Sequence, residues 1–244
     1  MKTTTTLATA CLLALTAFGA SPVRAQDAAQ VSVGVDLVSR YIWRGLDAGD
    51  APSAQPAVTL EFRGLALGAW GSYSLSNNIT HGDEIDLWLG YTHELPGGGS
   101  LGVLMTDYYF PNAGEGFSNY RNYDAPDGPG AHVLEVGALL TPSSFPVTLA
   151  AYANVYNDEG HNVYFQASYP FDVGETSLTL FAGATPGSDK NPGYYGTDQF
   201  KVLNVGFTAK KEVALSDRFS LPISASWSVN PNLDIAYLVV GFSL

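Results

Sequence analysis

From residue 31 to residue 244 the chain alternates apolar and polar side chains with a period of two. That period places successive side chains on opposite faces of an extended strand, so it constrains the fold more than any single motif does. In the first segment Val31, Val33, Val35, Leu37, Tyr41 and Trp43 share one face, against Ser32, Gly34, Asp36, Arg40 and Arg44 on the other. Next, Val58, Leu60 and Phe62 oppose Gln55, Thr59, Glu61 and Arg63. Farther on, Ile85, Leu87, Leu89 and Tyr91 oppose Glu84, Asp86, Trp88, Thr92 and Glu94. Twelve such strands are predicted, near 31–44, 53–63, 65–75, 84–95, 100–110, 131–141, 147–156, 162–171, 176–185, 200–213, 219–229 and 233–244. No helical apolar stripe of useful length lies between them, and 26 Gly and 14 Pro punctuate the chain.

Composition narrows the class. With 46% apolar, 12% aromatic and 14% charged residues, the chain is not of disordered type. Its 11 Lys+Arg against 23 Asp+Glu cannot present a broad basic surface, which excludes a nucleic-acid partner. The one long apolar run is N-terminal. Lys2, the run Leu7 to Ala20 and Val23-Arg24-Ala25 read as a secretory leader cleaved after Ala25, the run being too short for a membrane anchor. The expected organisation is a signal peptide over 1–25 and one barrel domain over 26–244. Removing Lys2 and Arg24 makes the net charge two units more negative than −12, and removing Cys11 takes the only cysteine. An exported chain without cysteine has no disulfide framework and no cysteine-based zinc or redox motif.

Connection lengths add an independent signal. The joins at Arg63-Gly64, Pro96–Gly99, Pro142–Pro146, Asp172–Glu175 and Ala214–Arg218 are short. Every long join (Gly45–Pro52, Ser76–Asp83, Pro111–Gly130, Pro186–Gln199) falls in the alternate set, although 157–161 and 230–232 in that set are short too. Short turns at one end and longer loops at the other are the layout of an outer-membrane barrel. The expected fold is therefore all-β, a transmembrane antiparallel barrel of twelve strands, its apolar face in lipid and with no need of an interior core. Tyr41, Trp43, Tyr73, Tyr109 and Trp227 would form one interfacial belt; Phe62, Tyr91, Phe171, Phe219 and Phe242 would form the other. A periplasmic β-sandwich also alternates, but it would leave both belts and the one-sided loops as coincidence.

The segment Leu37-Val38-Ser39-Arg40-Tyr41-Ile42-Trp43-Arg44-Gly45 resembles the opening motif of the Gcw_chp (TorF-like) family of bacterial outer-membrane proteins. Pro56-Ala57-Val58, Glu84-Ile85-Asp86 with Gly90-Tyr91, and Tyr109-Phe110-Pro111 fall where related motifs are expected, so the resemblance covers roughly 31 to 111. It implies a barrel and brings no catalytic residues. The last strand, with Ala236, Leu238, Val240, Phe242 and Leu244 on alternate positions, resembles the signal read by the barrel-assembly machinery, whose usual final Phe is here Leu244.

Chemistry-bearing motifs are absent: no HExxH, no phosphate-binding Gly-Lys-Ser/Thr loop, no GxSxG elbow. Of His81, His93, His132 and His161, none has a partner at metal-ligand spacing. His132 and Asp107 face outward near one rim without a placed serine, which reads as capping rather than lipid hydrolysis, and Asn78-Ile79-Thr80 reads as a polar loop. No enzyme activity, cofactor or metal is expected. Acidic loop residues Asp47, Asp50, Asp83, Glu115, Asp124, Asp127, Asp158 and Glu159 form a solvated surface, a divalent-cation bridge to lipopolysaccharide, or a field drawing cations toward a pore.

The lumen is the better place for function. Its candidate wall residues are Asp36, Arg40, Arg44, Glu61, Arg63, Glu84, Asp86, Trp88, Glu94 and Glu135. Counting back from the loop at residue 159 pairs Tyr156 with Asn162, Asn154 with Tyr164 and Tyr152 with Gln166, all inward. These charges brace the walls or select solutes, and the aromatic and amide strip is a sugar- or nucleoside-like contact surface or packing. The expected function is a passive or weakly selective channel for small hydrophilic solutes, favouring cations. The alternatives are a closed structural or interaction barrel using the loop 111–130 and, more distantly, a lipid-modifying enzyme. Outer-membrane lipid and lipopolysaccharide would surround it.

Overall fold

The computed structural model describes residues 28–76 and 83–244. The leader and its cleavage site, Cys11, His81 and Asn78-Ile79-Thr80 lie outside the described residues. In chain order the strands are β1 (Gln30–Val38), β2 (Ile42–Trp43), β3 (Leu46–Asp47), β4 (Ser53–Phe62), β5 (Leu65–Ser74), β6 (Glu84–Glu94) and β7 (Ser100–Tyr109). They continue as β8 (His132–Thr141), β9 (Thr148–Tyr156), β10 (Val163–Val173), β11 (Thr176–Thr185), β12 (Lys201–Ser216), β13 (Phe219–Asn230) and β14 (Ile235–Ser243). Among the described residues a single 3-10 turn, Pro111–Ala113, opens the loop after β7.

All strands but β2 and β3 close into one antiparallel barrel of twelve, each paired with its neighbours in sequence, and β1 completing the ring between β4 and β14. The last seam is short, running from Asp36↔Ser243 to Val38↔Gly241, with Leu244 exchanging main-chain hydrogen bonds with Val35. Closure leaves no long free edge and pairs the backbone internally, which a barrel can do without a helix.

Alternation sorts the two faces as expected. Leu65, Leu67, Leu87, Leu89, Val103 and Leu238 point outward and remain exposed, Leu238 at 69%. The inner face carries Asp36, Gln55, Glu84, Asp86, Thr106, Glu135, Asn154, Asn204 and Thr208, all buried. Two inward aromatics lie against glycines directly across the strand pair: Trp88 against Gly68 and Tyr152 against Gly137. A Cβ at either glycine would meet the ring, so these positions admit no larger residue while the ring lies flat.

Two expectations are corrected. The first strand does not run to residue 44. It ends at Val38, and the chain turns inward as the two-strand hairpin β2–β3, whose central residues Arg44 (φ 49°) and Gly45 (φ 80°) both lie in the left-handed region. That is the backbone of a type I′ turn, whose twist suits a two-residue hairpin. Tyr41 and Trp43 are therefore not part of a lipid-facing belt; they sit inside the barrel. The second correction concerns the core. An interior apolar cluster exists, formed by Leu104, Leu139, Ala150, Tyr152, Tyr164, Tyr195 and Leu203, with Trp43, Leu46, Trp88 and Tyr194 packed against it.

Candidate functional site: a hairpin across the lumen

The inward hairpin reaches the wall on several sides. Tyr41 packs on Trp70 of β5 at 5.3 Å between ring centroids and hydrogen-bonds Glu84 of β6. Trp43 meets Tyr108 of β7 edge-on at 6.2 Å and stacks on Tyr195 at 5.9 Å. At the far side the Gly45 carbonyl accepts from Asn230 Nδ2 of β13 at 3.0 Å. A Cβ on Gly45 would run into the Leu203 carbonyl and Asn204 of β12, so the turn is pressed against that wall and requires glycine.

Arg44, at the hairpin tip, is the charge centre. Its Nη1 and Nη2 donate to the two oxygens of Glu135 at 2.7 and 2.8 Å, a bidentate fork. Nη1 also donates to the Tyr195 hydroxyl at 2.6 Å, and the Tyr108 hydroxyl donates to Glu135 at 3.0 Å. The guanidinium carbon lies 4.5 Å from the Trp43 ring centre and 4.6 Å from those of Tyr152 and Tyr164. Arg44 and Glu135 are 6% and 1% exposed, so the pair is removed from water and stands on its hydrogen bonds and aromatic contacts. Burial pushes the Tyr195 hydroxyl up to about 12 against the lowering effect of Arg44. It therefore stays protonated at neutral pH.

The loop 186–200 supplies Tyr194 and Tyr195 and is held down by Asp158. That carboxylate accepts from Asn154 Nδ2 at 2.8 Å, Asn191 Nδ2 at 2.8 Å, and both the main chain and side chain of Asn162. Burial raises its pKa, but these bonds outweigh burial and hold the carboxyl below its usual value. The loop 111–130 instead folds over the outer wall. His132 is fully buried there, stacked between Tyr120 and Tyr109, with Nδ1 2.8 Å from Asp107 and Nε2 donating to the Phe117 carbonyl at 2.7 Å. Nε2 thereby latches the loop, while Nδ1 ties to Asp107 of β7, which in turn accepts from the Tyr120 hydroxyl of the loop at 2.9 Å.

Of the residues expected to line the lumen, Arg44, Glu135, Tyr152 and Tyr164 converge on one site, and Asn154 lies beside it in the hub around Asp158. Glu84 and Asp86 are buried two positions apart on the inner face of β6. Asp36 is buried on β1, while Trp88 faces Gly68 and Gln166 accepts from Tyr164. Others differ from expectation. Arg40 lies beyond β1 and pairs with Asp47 at 3.1 Å and Asp50 at 2.7 Å, bracing the base of the hairpin. Glu61 does face inward, at the solvent-exposed turn end, whereas Arg63 occupies the β4–β5 turn over the Phe62 ring.

The expected β9–β10 register is off by two: Tyr152 pairs with Tyr164 and Ala150 with Gln166. A bulge between Leu134 and Glu135 carries Tyr156 to the outer face, opposite Leu134, where its hydroxyl donates to the Tyr120 carbonyl. Trp43, Tyr108 and Tyr195 were missed by sequence reasoning. Only Arg44-Gly45 between apolar residues hinted at a tight turn. The acidic loops are largely tied to their own partners, Glu115 and Asp127 to Arg121, and Asp83 to the Ser74 amide. Among the described residues no group of three or more His, Cys, Asp or Glu could hold a metal ion.

No curated protein matches the chain. Among solved structures a KdgM porin is similar at 8% identity and TM-score 0.48, over 86% of this chain and 97% of that one. The sequence profile described as "Bacterial protein of unknown function (Gcw_chp)" matches residues 22–220, well beyond the 31–111 stretch of the motif resemblance. The chain belongs to the Gcw_chp family.

Proposed function

We propose that this protein is an outer-membrane channel for small hydrophilic solutes, favouring cations, whose passage is constricted by the inward hairpin 39–52. The observation that carries this reading is the contrast along the lumen. At the turn end the inward positions Glu61, Glu94, Asp172, Ser177 and Glu212 are solvent-exposed and mostly acidic, although Ala66, Leu139 and Thr141 nearby are buried, whereas at the loop end the hairpin 39–52 and the loop 186–200 cross the lumen. An acidic, water-filled vestibule raises the local cation concentration. Ten residues per strand at about 3.4 Å each, tilted by about 40°, rise roughly 25 Å, the height of an outer-membrane apolar band. The exposed outward Leu, Val and Phe side chains supply such a band, and the alternating apolar C-terminal strand supports handling by the barrel-assembly machinery.

Single-channel recording in planar bilayers tests the proposal. Wild-type protein is expected to give small, cation-selective openings, and replacing Tyr41–Asp50 by a Gly-Ser linker is expected to raise conductance several-fold. Silence from both proteins, each shown to be folded, refutes the channel. It would favour a second reading, a closed barrel acting through its outer loops, which the buried interior cluster around Leu203 and Tyr195 supports.

A further inference from the structure

The Arg44 site divides into a wall and an occupant of different quality. The wall consists of Tyr108, Glu135, Tyr152 and Tyr164, from the adjacent strands β7, β8, β9 and β10, each at most 2% exposed. Continuous ladders on both sides fix these strands. Together they present a carboxylate oriented by a tyrosine hydroxyl and two ring faces within 4.6 Å of one point, the complement of a planar five-donor cation.

The occupant fits less well. Arg44 reaches the wall only in a left-handed conformation (φ 49°) that costs an ordinary side chain energy. Its Nε is buried without an acceptor, and so is Nε1 of the neighbouring Trp43. The segment carrying both is a hairpin with two residue pairs, Ile42↔Asp47 and Trp43↔Leu46, and a two-stranded ribbon of that size has little stability of its own.

We propose that the Tyr108–Glu135–Tyr152–Tyr164 wall is a binding site for a guanidinium-bearing small solute, and that Arg44 fills it as a tethered, displaceable stand-in that keeps the hairpin across the lumen. This names the solute class for the channel, and only its transport part rests on the channel reading. Because the tether gives Arg44 a high effective concentration, a free solute competes weakly in the wild type and strongly once Arg44 is gone.

Binding is measured on folded protein in detergent micelles, without any current, by thermal unfolding and calorimetric titration with N-ethylguanidinium chloride. Ethylammonium chloride at equal ionic strength serves as the point-charge control. Arg44→Ala is expected to bind N-ethylguanidinium saturably, at least about ten-fold more tightly than wild type and more tightly than ethylammonium. R44A combined with E135Q is expected to lose that response. If R44A does not fold alone, N-ethylguanidinium in the refolding buffer is expected to restore it, and no rescue overturns the site. A folded R44A with no guanidinium-specific response overturns it too, as does an equal response without Glu135. A barrel that binds but never conducts leaves the site standing and removes the channel; one that conducts but does not bind does the reverse.

Discussion

The two ends of the barrel use the same twelve strands to opposite effect. At the turn end the joins are tight, as at Arg63-Gly64 (φ 50° and 85°) and at Gly174, and the inward charges Glu61, Glu94, Asp172 and Glu212 meet solvent. At the loop end the hairpin 39–52 and the loop 186–200 fold inward while 111–130 lies over the outer wall, and charges there are buried and paired. The difference teaches that a barrel wall needs little from its interior where water fills it. Where loops exclude water, a polar group without a partner carries a cost, as Nε of Arg44 and Nε1 of Trp43 do.

Removing one partner from the closed end is the strongest way to probe this contrast. Glu135→Ala leaves Arg44 buried without its carboxylate and is expected to cost about 3–5 kcal/mol in denaturant unfolding, whereas Glu94→Ala at the open end should stay within about 0.5 kcal/mol. Equal effects would break the contrast.

Glycines sharpen it next. Gly45→Ala meets both the left-handed penalty and the β12 backbone, and an expected loss of about 2–4 kcal/mol should come with increased proteolysis of the hairpin. At Gly174 (φ 61°) a Cβ would meet nothing, so Gly174→Ala should cost only about 1 kcal/mol.

Asp158 links the contrast to pH. Its carboxyl is held below the ordinary value of 3.8, so its stabilisation is complete above that value and is lost as pH falls through the lower folded value. Thermal unfolding from about pH 5 down to about pH 2 should show this loss in wild type and not in Asp158→Asn, which itself costs about 1–3 kcal/mol. The smallest effect is expected at Arg40→Ala, whose half-exposed pairs with Asp47 and Asp50 contribute about 0.2–1 kcal/mol and should fade in high salt.

Much of the fold was legible because alternation is a local property. From Ser53 onward each predicted strand has its counterpart, and Asp36, Glu84, Asp86 and Glu135 face inward as read. The site was legible only in part. Arg44 was placed in the lumen, but as a continuation of β1, because the alternation of Tyr41, Trp43 and Arg44 is equally compatible with a strand in the wall and a hairpin inside it. The β9–β10 register slipped by two for a related reason. A shift of two preserves every face, so only the tight loop tied by Asp158 and the bulge before Glu135 determine which tyrosines meet.

By itself, then, the sequence determined, from Ser53 onward and apart from Tyr156, which side chains share a face and where the chain turns, and hence a closed barrel with an apolar outside. Only the tertiary structure decided that Ser39–Pro52 folds inward and that Arg44 from the loop meets Glu135, Tyr152 and Tyr164 from three strands. The physical reason is range. Periodicity reports neighbours two residues apart, whereas the Arg44–Glu135 pair joins positions 91 residues apart, and water exclusion between them exists only once the barrel has closed.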